Sequence, residues 1–323
     1  MPQNETLLFI LFNIFILCLL FLDLGVIHRK AHSVGVREAA IWSAVWVSLS
    51  LIFNGGIFYF VGQTAGLEFL AGYLIEKALS VDNIFVFLII FSYFGVPPVY
   101  QHKVLFWGVL GALIMRSVFI ALGATLIARF DWILYIFGGI LVLSGWKMMF
   151  QQGVTVHPDK NIFIRLARRF FPVTAGYDSP RFFERRGGKL FITPLLLVLI
   201  TVETTDVVFA VDSIPAVFGV TRDPFIVYSS NVFAILGLRA LYFLLAGMMN
   251  SFAYLSHGLA LVLIFIGAKM LTEGLIHIPI GISLLVVVGI LSIAIGVSLI
   301  HSRRRDTVRI ADRASGENTT KEQ

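Results

Sequence analysis

The chain has 323 residues, of which 58% are hydrophobic and 14% are charged, and its formal net charge is +6. A soluble domain carries about a quarter charged residues, and the apolar excess here falls into runs of roughly 20 residues, enough to cross a ~30 Å hydrocarbon core. This composition excludes a soluble globular protein and predicts an all-α polytopic membrane protein. The single cysteine, Cys18, also excludes an internal disulfide, a CxxC redox pair and a thiolate metal site.

Nine apolar segments predict nine membrane-spanning helices. They cover residues 7–27, 39–61, 69–94, 104–127, 132–150, 191–218, 225–248, 254–271 and 278–300. The divisions expected from them are two N-terminal spans in 1–62, a first three-helix set in 67–150, a basic cytoplasmic loop in 151–190, a second three-helix set in 191–272, a ninth span in 278–300 and a disordered cytoplasmic tail in 301–323.

Basic residues are concentrated on alternate connections and in the tail, represented by Arg29, Lys103, Arg168 and Arg303. This is the pattern of cytoplasmic segments. It places the N-terminus outside and the C-terminus in the cytoplasm, and it gives the positive charge a topological role that needs no nucleic acid. Within the loop, the stretch RLARRFF is both basic and apolar. It predicts either an amphipathic helix on an anionic inner leaflet or a solvated loop whose charge only sets topology.

The two three-helix sets form an internal repeat. The string DNIFVF matches DVVFAV, and charged residues match at offsets of 122–124 residues: Asp82 with Asp206, Arg116 with Arg239, and Lys147 with Lys269. Because each set holds an odd number of helices, the second set enters the membrane from the opposite side. Inverted repeats are common in secondary transporters, whose substrate sites lie near the bilayer midplane. Chance similarity between apolar segments is the alternative, and it does not easily explain the matched charges.

Five acidic residues in segments three and six are the candidate metal ligands: Glu76, Asp82, Glu203, Asp206 and Asp212. A charge at the bilayer centre costs at least about 2.5–3.5 kcal/mol, so these acids need partners. The internal cations are Lys77, Arg116 and Arg239, which leaves a deficit of two charges. One divalent cation or two protons would remove it, so metal and protons are expected to compete. The alternative is that the acids pair with the arginines to fix helix packing.

The neighbouring polar groups narrow the choice of ion. Possible supporting ligands are Ser80, Asn83, Thr204, Ser213 and Asn231, all of which offer oxygen. Oxygen-only sites suit Mg²⁺, Ca²⁺ and Mn²⁺, whereas zinc and copper favour imidazole or sulfur. The ion is expected as transported substrate, with no permanently bound cofactor.

Pro215 introduces a further expectation for segment six. Its missing N–H leaves the carbonyl of Val211 without a helical donor. A break between Asp212 and Pro215 would turn Asp212 toward the other acids and free backbone oxygens for an ion. A simple proline kink is the alternative.

Four strings carry a resemblance to a known family: GYLIEKALSVDNIFVF, ARFDWILYIFG, ETTDVVFAVDSIPA and FAILGLRALYFLLAG. They resemble the TerC/Alx family of bacterial membrane proteins, over residues 39–300. The resemblance implies an inner-membrane location, a place in the LysE-type exporter group with its three-helix repeats, and a link to Mn²⁺ export. Older family names imply tellurium resistance or redox modulation. The family's important acids map onto the five acids named above.

Three functions are weighed on these observations. The first is export of a hard divalent cation, with Mn²⁺ as the expected ion and protons as an optional exchanged ion. The second is a Ca²⁺/H⁺ carrier that uses the same site. The third is a membrane-bound redox or stress modulator that acts through protein partners and the basic loop. An enzyme is not expected, because the sequence holds no nucleophile–base pair, phosphate-binding loop or H-E-x-x-H motif.

Overall fold

The computed structural model describes residues 2–22, 35–150, 161–177, 179–246, 254–276 and 278–319. Its helices and strands are α1 (Pro2–Leu22), α2 (Val36–Phe60), α3 (Gln63–Phe94), α4 (Pro98–Arg129), α5 (Ile133–Phe150), α6 (Ile162–Phe170), β1 (Phe183–Arg186), β2 (Lys189–Ile192), α7 (Pro194–Phe218), α8 (Pro224–Leu236), α9 (Leu238–Ala246), α10 (Leu255–Thr272) and α11 (Ile280–Thr319).

The all-α polytopic membrane class is confirmed. Within the described ranges, six helices are long and apolar enough to cross a membrane: α2, α4, α5, α7, α10 and the Ile280–Ser298 part of α11. The bent pair α8–α9 raises this number to seven when it is counted as one span, and α1 contributes a shorter apolar helix, Leu7–Leu20. The count of nine spans stays a prediction.

Proline and glycine set several helix ends. Pro98, Pro194 and Pro224 stand at the first positions of α4, α7 and α8, where the missing N–H costs nothing. The side chain of Asp223 caps α8 by accepting hydrogen bonds from the N–H groups of its first turn. Gly95 ends α3 with a φ of 62°, a left-handed conformation that glycine adopts without strain.

Helices α3 and α7 form the centre of the bundle and run antiparallel. Thr221 donates a hydrogen bond to Glu68 Oε2 at 2.6 Å, and a Cβ placed on Gly72 would lie 3.1 Å from Val217 Cγ1. Helices α4 and α8 pack on this pair, and α5 and α10 pack against each other and also contact it. The same helix contacts result when α3 is exchanged with α7, α4 with α8 and α5 with α10. This symmetry is what an internal repeat would give, and the repeat itself stays a prediction.

The basic segment between α5 and α7 forms a small layer at one end of the bundle, and residues 151–160 lie outside the described part of the chain. Its hairpin pairs β1 with β2 and turns at Gly187 and Gly188, whose φ values are 57° and 79°. Tyr177 Oη donates to the carbonyl of Phe94 at 2.8 Å, which fastens the layer to the end of α3. Neither strand is predicted by the sequence patterns above.

The predicted break in segment six is wrong. Helix α7 continues through Pro215 to Phe218, because a proline three residues from the helix end removes little of the ladder and membrane helices tolerate it. The bend lies instead at Gly237, between α8 and α9, where the helix axis turns by 41°. Lys77 Nζ donates to the carbonyl of Ala234 at this bend, at 3.2 Å.

The described part of the tail is helical, and the predicted disorder of residues 301–323 stays a prediction. Helix α11 continues to Thr319, while residues 320–323 lie outside the described part of the chain. A tail that extends an existing helix needs no new nucleation, and its alanine, arginine and glutamate residues favour helix.

Glycines allow α5 and α10 to pack at close range. A Cβ on Gly138 would lie 2.9 Å from the carbonyl oxygen of Gly267, and a Cβ on Gly267 would lie 2.7 Å from the carbonyl oxygen of Gly138. Small residues at helix interfaces are the usual means of close packing in membranes. Gly139, next along α5, has nothing within 4 Å of the same position.

We expect Gly267→Ala and Gly138→Ala to destabilise the protein by about 1–3 kcal/mol, because each methyl group would press on backbone that cannot move aside. Thermal unfolding of the purified protein in detergent measures the effect. Gly139→Ala is the matched control and should be neutral or slightly stabilising, since alanine favours helix over glycine. Equal unfolding temperatures for Gly138→Ala and Gly139→Ala would contradict the close packing.

Candidate functional site

Arg116 of α4 is the centre of the buried polar cluster. Its side chain is only 2% exposed, yet it contacts two carboxylates. Nη1 donates to Glu76 Oε1, while Nε and Nη2 donate to the two oxygens of Asp206, each at 3.2 Å. The bidentate geometry suits the planar guanidinium. Three central helices, α3, α4 and α7, are thereby joined through one cation.

Two neutral groups complete the surroundings of Arg116. Nη1 also donates to Ser213 Oγ at 3.1 Å and to Asn231 Oδ1 at 3.5 Å. Ser213 follows Asp206 on α7, and Asn231 extends from α8, so a fourth helix contributes. Both residues are 1% exposed. The sequence predicts Ser213 and Asn231 as supporting ligands of a metal ion beside the acids. In the structure both residues lie beside the acids, but they accept hydrogen bonds from Arg116.

Several buried polar atoms near this cluster have no hydrogen-bond partner in the described part of the chain: Glu76 Oε2, Ser80 Oγ, Asn83 Nδ2 and Asn231 Nδ2. Glu76, Ser80 and Asn83 recur at helical spacing and share one face of α3. Buried polar groups are normally satisfied, so each exception needs an explanation. The face of α3 toward α4 and α8 can therefore accept additional polar partners, such as water or an ion.

Glu203 lies one turn before Asp206 on α7 and is half-buried. A Cβ on Gly111 of α4 would collide with its carboxylate, so the absence of a side chain at Gly111 makes room for Glu203. Three carboxylates and one guanidinium thus occupy the α4 side of the central pair. The net charge of this group is negative when all three acids are ionised.

Asp82 and Asp212 face the opposite side of the central pair. Ser256 of α10 donates to Asp82 Oδ1 at 3.0 Å, and Ser144 of α5 donates to Asp212 Oδ1 at 2.6 Å. Each aspartate lies six residues after an Arg116-bound acid, about 240° further round its helix. The α3–α7 register sets Asp82 near the level of Asp206 and Asp212 near the level of Glu76, and all five acids lie within roughly 15 Å of helix rise. The acids therefore share one layer of the bundle but not one face.

The side chains of the five acids do not converge on one point in this structure. In the described ranges, no group of three or more histidine, cysteine, aspartate or glutamate side chains is arranged to hold a metal. Arg116 fills the space between Glu76 and Asp206, and the helical spacing turns the other two aspartates away. The assignment of all five as ligands stays a prediction.

The other predicted polar residues lie around this core. Lys77 donates to the bend in α8–α9, as described above, and Arg239 Nη2 contacts His102 Nδ1 at 3.2 Å. Thr204 Oγ1 accepts a hydrogen bond from Asn161 Nδ2 at 2.7 Å. Sequence patterns did not identify Asn161, Ser144 or Ser256. A single polar residue in a loop or an apolar helix carries no pattern that would mark it.

Comparison with known proteins places this arrangement in a family. The model of the integral membrane protein TerC family matches residues 61–306, which include every acid described above. The chain belongs to the TerC family. This TerC protein is a multi-pass membrane protein with bacterial relatives, and no solved structure gives a significant match.

Relatives of this TerC protein share about half of its residues. An uncharacterised membrane protein of Myxococcus xanthus is 50% identical over 296 residues, 92% of this chain and 93% of that protein. The protein named "Putative membrane-bound redox modulator Alx" in Escherichia coli K12 is 50% identical over 294 residues, 87% of this chain and 90% of its own. The protein of that name in Salmonella typhi is 47% identical over 304 residues, 91% of this chain and 94% of its own.

We expect Arg116→Gln to lower the free energy of unfolding of this TerC protein by about 3–5 kcal/mol, because it leaves two carboxylates buried without their cation. The matched control is Arg222→Gln, whose half-exposed guanidinium lies 3.2 Å from Glu273 and whose loss should cost at most about 1 kcal/mol. Unfolding by denaturing detergent measures both variants.

A compensated triple variant tests the cause. Replacing Arg116 with Gln together with Glu76→Gln and Asp206→Asn removes all three charges and should recover most of the stability lost in the single variant. A single variant as stable as Arg222→Gln, or a triple variant as unstable as the single one, would show that the ion pair is not the source of the effect.

Proposed function

We propose that this TerC protein exports a hard divalent cation, with Mn²⁺ as substrate, through the centre formed by Glu76, Arg116 and Asp206. The observation that carries the proposal is the incomplete charge balance of that centre. Two buried carboxylates meet one guanidinium, and the second oxygen of Glu76 has no hydrogen-bond partner among the described residues. A cation entering this layer would meet oxygens that already face the interior.

Glu203 makes the imbalance larger. With Glu203 ionised, three carboxylates and one guanidinium lie on the α4 side of the central pair, and the deficit is two charges, the charge of one divalent cation. A buried net charge of this size is costly in a membrane interior. Binding of a divalent cation or of two protons would remove the cost, which gives a physical basis for exchange between metal and protons.

The ligand chemistry supports a hard cation. Besides the carboxylates, Ser213 and Asn231 offer oxygens at the same place, and none of these groups is a thiolate or an imidazole. Mg²⁺, Ca²⁺ and Mn²⁺ prefer such oxygen ligands. The choice of Mn²⁺ among them rests on the resemblance of the sequence to the TerC/Alx family.

Arg116 gives the proposed cycle its central step. Its guanidinium keeps its proton at all accessible pH values, so it acts as a tethered cation between Glu76 and Asp206. A metal ion can bind both carboxylates only when the guanidinium withdraws, and the guanidinium returns when the metal leaves. Arg116 therefore neutralises the empty site and competes with the substrate, which favours release.

Two other functions remain as alternatives. A Ca²⁺/H⁺ carrier would use the same oxygens, so only the transported ion distinguishes it. The redox name belongs to the Alx relatives, and here the only cysteine, Cys18, lies exposed on α1. No residue pair in the sequence carries a dithiol redox reaction, so we do not propose one.

We expect Asp206→Asn and Glu76→Gln each to abolish protection of Mn²⁺-sensitive bacteria against excess Mn²⁺, because each amide keeps the shape of the side chain and removes its charge. Cellular manganese, measured by elemental analysis, should return to the level of cells without the protein. Asp131→Asn is the matched control, since this exposed aspartate lies between α4 and α5, and it should protect fully.

Full protection by both site variants, at equal abundance in the membrane, would remove the proposed site. Vesicles that contain the purified protein then identify the ion. Mn²⁺ flux without Ca²⁺ flux supports the proposal, and Ca²⁺ flux at an equal or higher rate supports the carrier. A pH-sensitive dye inside the vesicles shows whether protons move in the opposite direction.

A further inference from the structure

Helix α6 is the most strongly amphipathic of the described helices. The side chains of its apolar face are exposed among the described residues. Four large apolar side chains share this face and are exposed: Ile162, Phe163, Leu166 and Phe170. Their exposed fractions run from 49% for Leu166 to 68% for Phe170. At 100° per residue, they occupy an arc of about 100°. An apolar face of this size on a short helix indicates a docking surface.

The basic side chains of α6 form a second face. Arg165, Arg168 and Arg169 are exposed and occupy a separate arc that borders the apolar arc on one side, with Arg168 nearly opposite the apolar centre and Arg169 about 20° from Ile162. Between the two faces, Ile164 is buried against Ile192 and Leu197, so it attaches the helix to the start of α7. Residues 161–190 hold seven basic and two acidic side chains, so the whole segment around α6 is strongly positive.

The position of α6 relative to the bundle gives its surroundings. Its N-cap, Asn161, accepts hydrogen bonds from Phe163 N and Ile164 N through Oδ1 and donates to Thr204 through Nδ2. Ile164 packs near Leu197, and the chain after α6 pairs with Ile192. These contacts occur in opposite chain order, so α6 lies antiparallel beside the first half of α7. Its N-cap is near the middle of that membrane-spanning helix, and its C-terminal end, with Arg168 and Arg169, is toward the start of α7.

Exposed aromatic side chains continue the apolar surface beyond α6. Phe171 follows the helix, and Phe183 begins the hairpin. Trp107 of α4 packs edge-on against Phe182, with 6.4 Å between ring centroids. Aromatic side chains are enriched at the membrane–water interface, where one end of the ring is apolar and the other is wet. A helix in this place can bury its apolar face among acyl chains while its long arginine side chains extend to the headgroup layer.

We propose that α6 docks on the anionic phospholipids of the leaflet that it faces, with its apolar face among the acyl chains and its three arginines on the phosphate groups. Guanidinium groups bind phosphate in a bidentate manner, and clusters of basic residues next to a membrane helix favour anionic lipids. Because Asn161 and Ile164 attach α6 to α7, docking holds the start of α7 at a fixed depth. The inference does not depend on which ion the protein moves.

A lipid-quenching experiment on the full-length protein tests this inference. The fluorophore bimane is attached to Leu166→Cys in a Cys18→Ser background, and the protein is placed in nanodiscs of phosphatidylcholine. Spin-labelled phosphatidylglycerol or spin-labelled phosphatidylcholine is then added in increasing mole fraction. We expect half-maximal quenching by the anionic lipid at a mole fraction at least about fivefold lower than by the zwitterionic lipid, given the contribution of each arginine near a charged surface.

Two charge variants locate the source of the preference. Replacement of Arg165, Arg168 and Arg169 by glutamine should make the two quenching curves coincide. The matched control replaces the same number of arginines outside α6, namely Arg303, Arg304 and Arg305, and should keep the preference. Circular dichroism of each variant checks that the helical bundle is intact.

Three results would overturn the inference. Equal quenching by both lipids in the parent protein would mean that α6 contacts acyl chains without selecting charge. Absence of quenching by either lipid would mean that the apolar face is covered by something other than lipid, such as a protein partner. A preference that survives the α6 triple replacement would assign it to other basic residues. Transport is not measured in this assay, so its failure and the failure of the proposed function remain distinguishable.

Discussion

The ion pair of Arg116 with Glu76 and Asp206 constrains the rest of the bundle. Three charged side chains lie almost completely out of contact with solvent, and removal of one partner from such a pair is strongly destabilising. Because the partners come from α3, α4 and α7, these helices can form the pair only in one register. Ser213 and Asn231 then complete the hydrogen bonds of Nη1, which adds α8 to the same arrangement.

The same interaction gives the centre its chemical character. Arg116 neutralises one carboxylate of two, or of three when Glu203 is counted, so the pair stabilises the bundle without closing its charge balance. The second carboxylate oxygen of Glu76, Oε2, has no hydrogen-bond partner among the described residues. A network with equal positive and negative charge would have only a structural role, whereas this one has more negative than positive charge. In the proposed function, the transported cation neutralises the excess negative charge.

Sequence patterns predicted the class of protein and the chemical groups of the site, because both follow from composition. Acids within apolar segments are costly, so Glu76, Asp206 and Arg116 were identified without coordinates. Their geometry was not identified, since it depends on the rotation of one helix against another. The spacing of Asp206 and Asp212 already turned Asp212 away, and the predicted break at Pro215 was needed to bring it back. The helix does not break there, so Asp212 faces α5 instead.

Other features lay beyond sequence reasoning for a different reason. Asn161, Ser144 and Ser256 are isolated polar residues, and their roles depend on partners more than 40 residues away. The bend at Gly237 is likewise a tertiary effect, since Lys77 of α3 supplies a hydrogen bond to the carbonyl of Ala234 there. The amphipathic pattern of RLARRFF was readable in the sequence, because its apolar and basic faces are set by neighbours within three turns of one helix.

The division of the acids between two faces of the α3–α7 pair has a consequence for the proposed transport. Glu76, Glu203 and Asp206 lie toward α4 and α8, whereas Asp82 and Asp212 lie toward α5 and α10, each bound to a serine. The antiparallel register sets Asp82 near the level of Asp206 and Asp212 near the level of Glu76. An ion that passed from one set to the other would move between helices and hardly along them. In the proposed transport, such a step would need α5 and α10 to shift against the central pair, and the glycine-mediated contact holds these two helices close together. That shift would break the two serine–aspartate hydrogen bonds and separate Asp212 from Lys147 of α5, because these interactions join the acids of the central pair to α5 and α10 in the described part of the chain.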